Sequence, residues 1–350
     1  VAKQAAPRRL SRLIAIAVAA ATIAGTSLAA RAADLAMVRI AVGGAGCLCY
    51  LPTILAEQIG AYKKAGLAVE IANLKGGSQA LTAVLGGSAD VVSGYFDHTI
   101  VIQAKQKVLT AFVAYDRLPG LVLAVSPKAS GIASLRDLAH KKVGVSAPGS
   151  STDFFLKYLL RKGGEDPGSV AVIGVGLDAT AVAAMEQGMV DAAVMLDPAV
   201  TVLETKYRDL KLLSDTRTEA DTLRVFGGQY PGGVLYAPPD WIAKHEKETQ
   251  ALADALVETL QWLHTHTPEE IAAKMPDELV GPDKTLYLAA LKNAMAMYSP
   301  TGLMDPKGAQ AVLDLFSQSD ATIAKANVDL SKTYTNRFVD AADARLGIKN

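Results

Sequence analysis

Residues Lys142–Lys162 read KVGVSAPGSSTDFFLKYLLRK. A short β-rich run, Lys142–Ser146, meets a turn of small and hydroxyl residues, Pro148-Gly149-Ser150-Ser151-Thr152-Asp153. The spacing then changes from strand to helix over Ser151–Lys162. The unit recurs on both sides. Upstream, Val38–Val42 (VRIAV) leads through Gly43-Gly44-Ala45-Gly46 to a helix expected over Thr53–Lys64. Ala68–Leu74 leads through Gly76-Gly77-Ser78-Gln79 to a helix over Ser78–Leu85. Ala89–Ser93 leads through Ser93-Gly94-Tyr95 to a helix over His98–Gln106, and Val108–Ala114 is a further strand. Downstream, Leu121–Val125, Val170–Val175, Ala192–Leu196 and Lys211–Leu213 read as strands, with a helix over Ala179–Gln187. Alternating βα units predict parallel-dominated sheets covered by helices on both faces, an α/β fold.

From Pro239 the chain turns helical, with Leu252, Leu256, Leu260 and Leu263 forming a stripe within Trp241–His266. This tail is expected to pack on the first lobe. Leu121–Pro127 and Phe226–Pro239 read as two crossings between lobes. The predicted plan is therefore residues 33–118 with 233–350 as a discontinuous first lobe. Residues 119–232 form an inserted second lobe, and the cleft between them is the default binding site.

The 350 residues suggest about two domains. Half are hydrophobic and 20% are charged, which excludes a disordered chain. The net charge of zero conceals an asymmetry. Residues 1–32 hold Lys3, Arg8, Arg9, Arg12 and Arg31 and no acid, leaving 30 basic against 35 acidic residues in the rest. That mildly acidic remainder has no footprint for nucleic acid. The basic start, the apolar run Leu13–Ala24 and Ala30-Arg31-Ala32 read as a cleavable signal peptide over residues 1–32. The run is too short for a comfortable membrane span. Export to the periplasm follows, with Arg8-Arg9 leaving the secretory and twin-arginine routes both open.

The sequence lacks the G-x-S-x-G elbow, the P-loop, H-E-x-x-H and C-x-x-C. Gly174-Val-Gly176-Leu-Asp-Ala179 fits G-x-G-x-x-A, but reads better as a tight βα turn. His264 and His266, two apart on a helix, face different ways and make no metal site. Cys47 and Cys49 are the only cysteines. A C-x-C disulfide would be strained, so the pair is expected as small buried side chains, with free thiols lining a pocket as the alternative. No metal, cofactor or catalytic residue is expected. Arg136, Asp137, Lys141 and Lys142 read as a solvated helix end. What recurs is a small-residue loop after each strand, including Leu196-Asp197-Pro198. At the carboxyl ends of parallel strands, helix N-termini offer free N–H groups and partial positive charge to an anion.

At these residues the chain resembles the periplasmic solute-binding proteins of ABC importers, in the nitrate/sulfonate/taurine group. The stretches that carry the likeness are Leu55–Glu70 (LAEQIGAYKKAGLAVE), Gly76–Asp90 (GGSQALTAVLGGSAD), Ser134–Ser151 (SLRDLAHKKVGVSAPGSS) and Ala183–Pro198 (AAMEQGMVDAAVMLDP). It spans roughly residues 38–265. The resemblance implies a two-lobed periplasmic binding protein of type II-like fold that closes on a solute. It also implies a monomer that docks on an inner-membrane permease driven by an ATPase. Carried over residue by residue, the ligand-binding set is Gly44, Cys47 and Tyr50; Gly77 and Ser78; Tyr95 and His98; Ser150, Ser151 and Thr152; Asp197; and Tyr230.

These loops lack Arg and Lys, while Asp97, Asp153 and Asp197 lie in or beside them. Buried acids near an anion are costly unless they point elsewhere. Small organic anions such as sulfonates, nitrate or taurine therefore stand beside thiamine-type pyrimidine precursors and aromatic carboxylates. Fungal thiamine-pyrimidine synthases share the fold, but carry a dense cysteine run absent here. A sensor subunit presenting ligand to a receptor kinase would have the same pocket.

Overall fold

The computed structural model describes residues 1–2 and 35–348. The expected signal peptide thus falls almost wholly outside the described residues. The body beginning at Ala36 holds two five-stranded mixed sheets flanked by helices. The first contains β1 (Ala36–Val42), β2 (Leu67–Asn73), β3 (Val91–Tyr95), β4 (Thr110–Ala114) and β10 (Gly233–Ala237), in the order β2-β1-β3-β10-β4. The second contains β5 (Val122–Val125), β6 (Lys142–Val145), β7 (Ala171–Gly174), β8 (Ala192–Met195) and β9 (Leu212–Asp215), in the order β7-β6-β8-β5-β9.

In the first sheet β1 pairs parallel with β2 and β3, while β10 runs antiparallel to β3 and β4. The second sheet repeats this, with β5 antiparallel to β8 and β9. Each reversed strand lies next to one of the chain's crossings between sheets. Both are wholly buried runs, GVLYA and VLAV, as strands covered on both faces require.

The helices that matter below are α1 (Leu51–Gln58), α2 (Ala61–Lys64), α3 (Gly77–Leu85), α4 (Asp97–Gln103), α5 (Ser151–Lys162), α6 (Ala179–Glu186), α7 (Ala199–Lys206), α8 (Glu219–Phe226), α9 (Pro239–Lys244), α10 (Glu246–Thr265), α11 (Lys284–Ala294), α12 (Pro306–Ser319) and α13 (Arg337–Leu346). Helix α5 begins and ends where the sequence pattern places it. It buries Phe155, Leu156, Leu159 and Leu160, and Arg161 and Lys162 complement its C-terminal dipole.

Several boundaries differ from expectation. The helix expected over Thr53–Lys64 is two helices, because Gly60 adopts φ 76° between them, a region glycine enters freely. Trp241–His266 is likewise broken at His245 into α9 and α10. Strand β3 extends through Ser93-Gly94-Tyr95, so that loop is the strand's own end. Helix α4 ends at Gln103, not Gln106.

The expected thiols are also corrected. Cys47 and Cys49 form a disulfide, and the Cys49 backbone N–H lies 3.2 Å from Cys47 Sγ. Both side chains are buried, at 1% and 0% exposure, within the large apolar core. The tail does not pack on the first lobe alone. Helix α10 buries its leucine stripe against α1, α2 and α13. Helix α11, however, packs on α7 beside the second sheet, with Asn293 Nδ2 donating to Thr201 Oγ1 at 3.1 Å. Phe316 of α12 meets Phe154 of α5 edge-on at 5.8 Å.

Candidate functional site

The carboxyl ends of β1, β3 and β6 converge on one place, and two helices start there. Helix α3 begins at Gly77 from the first sheet, and α5 begins at Ser151 from the second. Neither start carries a side-chain cap from its own N-cap residue. Asp178, Thr218, Asp283 and Asp305 cap α6, α8, α11 and α12 with their own side chains, while α1, α4, α7, α9, α10 and α13 lack such a cap as these two do. The two starts meet directly instead: Ser78 N donates to Ser150 Oγ at 3.0 Å, and Ser150 Oγ lies 3.3 Å from Ser78 Oγ.

What lets α3 come so close is Gly43, at the end of β1. A Cβ there would stand 2.4 Å from Gly77 N and 2.6 Å from Gly76 C. The bare backbone is a steric requirement.

Around this junction lies a cavity of about 10 Å³, lined by Tyr50, Gly77, Tyr95, Leu121, Ser146, Ser150, Ser151, Thr152, Leu177 and Leu196. That is room for about one water. Of the residues proposed from sequence, Tyr50, Gly77, Tyr95, Ser150, Ser151 and Thr152 therefore share one cavity wall. Gly44 stands beside it, since a Cβ on Gly44 would lie 3.3 Å from Leu177 Cβ. Ser78 faces Ser150 across the junction. Tyr95 spends its hydroxyl on Pro119 O at 2.7 Å.

The structure does not bring Cys47 or Asp197 to this cavity. Cys47 is held in the disulfide. Asp197 turns away: Oδ1 accepts from Thr201 N at 3.0 Å and Thr201 Oγ1 at 2.7 Å, and Oδ2 lies 3.7 Å from Arg217. The Asp197 carbonyl instead ties the lobes together, accepting from Leu48 N at 2.9 Å. Asp153 also points elsewhere, accepting from Gly149 N at 2.7 Å and Lys157 at 2.8 Å. Asp197 is thereby removed from any anion held at the helix starts, while Asp153 stays buried in the first turn of α5 with Oδ2 paired.

The third acid, Asp97, is at the site. It is fully buried. Its carboxylate accepts from Ser151 Oγ at 2.7 Å and Tyr230 Oη at 2.8 Å. Burial raises this carboxyl above its ordinary range, while His98 and the two hydroxyls pull it back. His98 follows directly. Its Nδ1 lies 2.9 Å from Tyr236 Oη, and Phe154 approaches its ring edge-on from α5 at 6.0 Å. Burial lowers the imidazole, against the opposing pull of Asp97.

Thr152 Oγ1 accepts from Ser146 N at 2.9 Å, which fixes α5 against the end of β6. Sequence reasoning named Thr152 but missed Ser146, Leu121, Leu177 and Leu196, and counted Asp97 as a cost to an anion without placing it in the site. Ser146 was legible as the last residue before the small-residue turn. Tyr236 lies 138 positions from its partner His98 and left no local signal.

Among the described residues, no group of three or more His, Cys, Asp or Glu could hold a metal ion. No described helix is long and apolar enough to cross a membrane.

Residues 50–271 match the family model described as NMT1/THI5 like. Among solved structures, the chain is 40% identical to a protein from Bordetella bronchiseptica RB50, covering 90% of this chain and 99% of that one at a TM-score of 0.85. It shares its fold with the alkanesulfonate-binding protein SsuA from Xanthomonas axonopodis pv. citri bound to MOPS, at 19% identity, 87% and 100% coverage and a TM-score of 0.66. It shares it too with the periplasmic nitrate-binding protein NrtA from Synechocystis PCC 6803, at 15% identity, 90% coverage of each chain and a TM-score of 0.64. No curated protein matches it significantly. The uncapped helix starts thus sit at the meeting point of two lobes, and the chain belongs to the NMT1/THI5-like family, with the two-lobed fold of periplasmic binding proteins.

Proposed function

We propose that this protein is the periplasmic solute-binding component of an ABC importer. It captures a small organic anion of the sulfonate, nitrate or taurine class between its lobes and delivers it to a membrane permease. The observation that carries the reading is the pair of uncapped helix starts, one from each sheet, facing each other among hydroxyls. Each directs its first N–H groups and partial positive charge to the junction, where Ser150 Oγ of the second sheet's helix accepts from Ser78 N of the first's. An anion placed between them would be gripped by both lobes at once, so capture and closure would be one event. The lobes are residues 33–118 with 233–350, and 119–232. A cavity of about 10 Å³ is too small for such a solute, so the lobes part to admit it.

A second reading is favoured by one observation. The cavity wall holds no Lys or Arg, and Asp97 is buried beside it. A neutral or cationic heterocycle of the thiamine-precursor kind would suit that acid better than an anion.

A thermal-shift panel separates the two. Ligand that binds only the native state stabilises it by mass action, by about 2.7 kcal/mol at a hundredfold excess over Kd, and so raises the melting temperature. Ethanesulfonate, taurine, nitrate and benzoate are expected to shift the wild type but not a Ser150→Ala, Ser151→Ala variant. A shift only with uncharged aminopyrimidines overturns the anion reading and retains capture of a solute.

A further inference from the structure

His98 Nε2 is buried without a hydrogen-bond partner among the described residues. This is unusual for a polar atom in a folded core. The Cε1–Nε2 edge faces Gly77, whose would-be Cβ lies 3.0 Å from Cε1, 3.6 Å from Nε2 and 3.8 Å from Ser150 Oγ. The orphan nitrogen therefore stands where α3 and α5 begin, while Nδ1 is held by Tyr236.

The charges around it are few. On its own helix the neighbour is Asp97. From β10 comes Tyr236, from the return crossing Tyr230, and from the first loop Tyr50. The α5 start contributes Asp153, already paired with Lys157, and the ring of Phe154. The α3 start contributes only Gly77 and Ser78. An anion captured here would meet two buried carboxylates, Asp97 and the Lys157-paired Asp153, and no Lys or Arg on the cavity wall. Asp97 is held as an acceptor by two hydroxyl donors. The side chain of this cluster able to become a cation is His98.

Resting on the anion reading above, we propose that His98 is the proton-linked ligand contact of the cleft: Nε2 hydrogen-bonds the captured anion, and the imidazole takes up a proton as the anion binds. Two consequences follow. Affinity for anions rises as pH falls, and discrimination against neutral solutes rises with it. The direction follows from linkage. Burial keeps the free imidazole below its ordinary value, and a bound anion raises it. Affinity is therefore gained as pH falls through the bound-state value, and levels off below the free-state value.

The test uses the full chain with ethanesulfonate and benzoate as probes. Titration calorimetry from pH 8 to 6 is expected to show Kd falling by up to about tenfold per pH unit between the two imidazole pKa values. Proton uptake should appear as a dependence of the heat on buffer ionisation enthalpy. The ¹⁵N resonances of wild-type His98 are expected to move toward imidazolium on binding, a readout that needs no variant. His98→Gln should bind with a pH-independent Kd. Binding that is pH-independent in the wild type, with unmoved His98 resonances, overturns the proposal and leaves the anion cleft standing. Failure of both probes and of the whole anion panel overturns the anion cleft, and the proposal with it.

Discussion

Replacing Gly43 with alanine tests whether the site depends on how closely β1 approaches the start of α3. The backbone of Gly43 is not in the left-handed region, so alanine adds no conformational strain. The perturbation is steric alone. The new Cβ would stand 2.4 Å from Gly77 N and 2.8 Å from Gly77 Cα, against an ordinary separation of about 3.5–4.0 Å. The Gly76–Gly77 peptide must retreat by roughly 1 Å, and its retreat breaks the 3.0 Å bond from Ser78 N to Ser150 Oγ. Overpacking of this kind costs about 1–3 kcal/mol. At about 2.1 cal/mol/K per residue, a chain of this size should lose ~1.5–4 °C in melting temperature. Gly60→Ala is the control. Gly60 has φ 76° and nothing within 4 Å of its would-be Cβ, so it should lose about 1 kcal/mol through backbone conformation and leave the site untouched. Urea denaturation gives both stabilities, and the shift produced by a binding anion gives the site. If Gly43→Ala melts within about 0.5 °C of wild type and keeps its ligand response, the close approach is not what builds the site.

Thr152→Val removes the acceptor for the buried Ser146 N–H and should cost about 1–3 kcal/mol in urea denaturation, with Thr152→Ser largely preserving stability. Asp116 is fully buried in the first crossing, and neither carboxylate oxygen has a hydrogen bond of ordinary geometry among the described residues. Burial, eased by the Gly233 backbone, holds its carboxyl well above the usual range. The folded protein thus binds this proton more tightly than the unfolded chain. Its contribution is complete below the unfolded value and lost as pH rises through the folded one, at about 1.4 kcal/mol per unit of the rise. Calorimetry should find that Asp116→Asn flattens the fall in stability toward high pH, and an unchanged slope would refute the assignment. Reducing the Cys47–Cys49 disulfide should cost no more than about 1.5 kcal/mol, because the loop it closes is so short. The check is a melting scan with reductant, using intact mass to verify the reduced form.

The βα rhythm was legible because each strand is short, apolar and followed by glycine or a hydroxyl residue. Ser151–Lys162 was readable to its ends because Ser150, Asp153 and the closing Arg161-Lys162-Gly163 all agree with a helix. The reversal of β5 and β10 was not legible. Buried strands read alike in either direction, and their antiparallel pairing is set by partners such as Met195 and Tyr95, 73 and 138 positions away. The breaks at Gly60 and His245 were missed because the apolar spacing continues through them. The cavity wall was half legible. Residues next to glycine turns were found, whereas Leu121, Leu177 and Leu196 look like any core leucine until the sheets are placed. The disulfide was missed because spacing alone argues against it. Local backbone geometry, which brings the two Cα atoms to 5.1 Å, was invisible in the sequence.

The two crossings between sheets are bonded to each other. Asp116 N donates to Gly233 O and Gly232 N to Asp116 O, each at 3.0 Å, and Val234 pairs with Ala114 just beyond. The chain leaves the first sheet and returns to it through the stem of a hairpin, and everything from Arg117 to Pro231 is, topologically, its loop. Closing a loop costs entropy only logarithmically in its length, so the stem is indifferent to how much chain it carries. A short turn tying Asp116 to Gly232 should therefore leave a first sheet that still assembles. Conversely, a foreign domain whose ends lie close together could be spliced onto the same stem. The molecule is built like a socket and its insert, and any exchanged insert would have to meet the base's own contacts on it, α11 against α7 and Phe316 against Phe154.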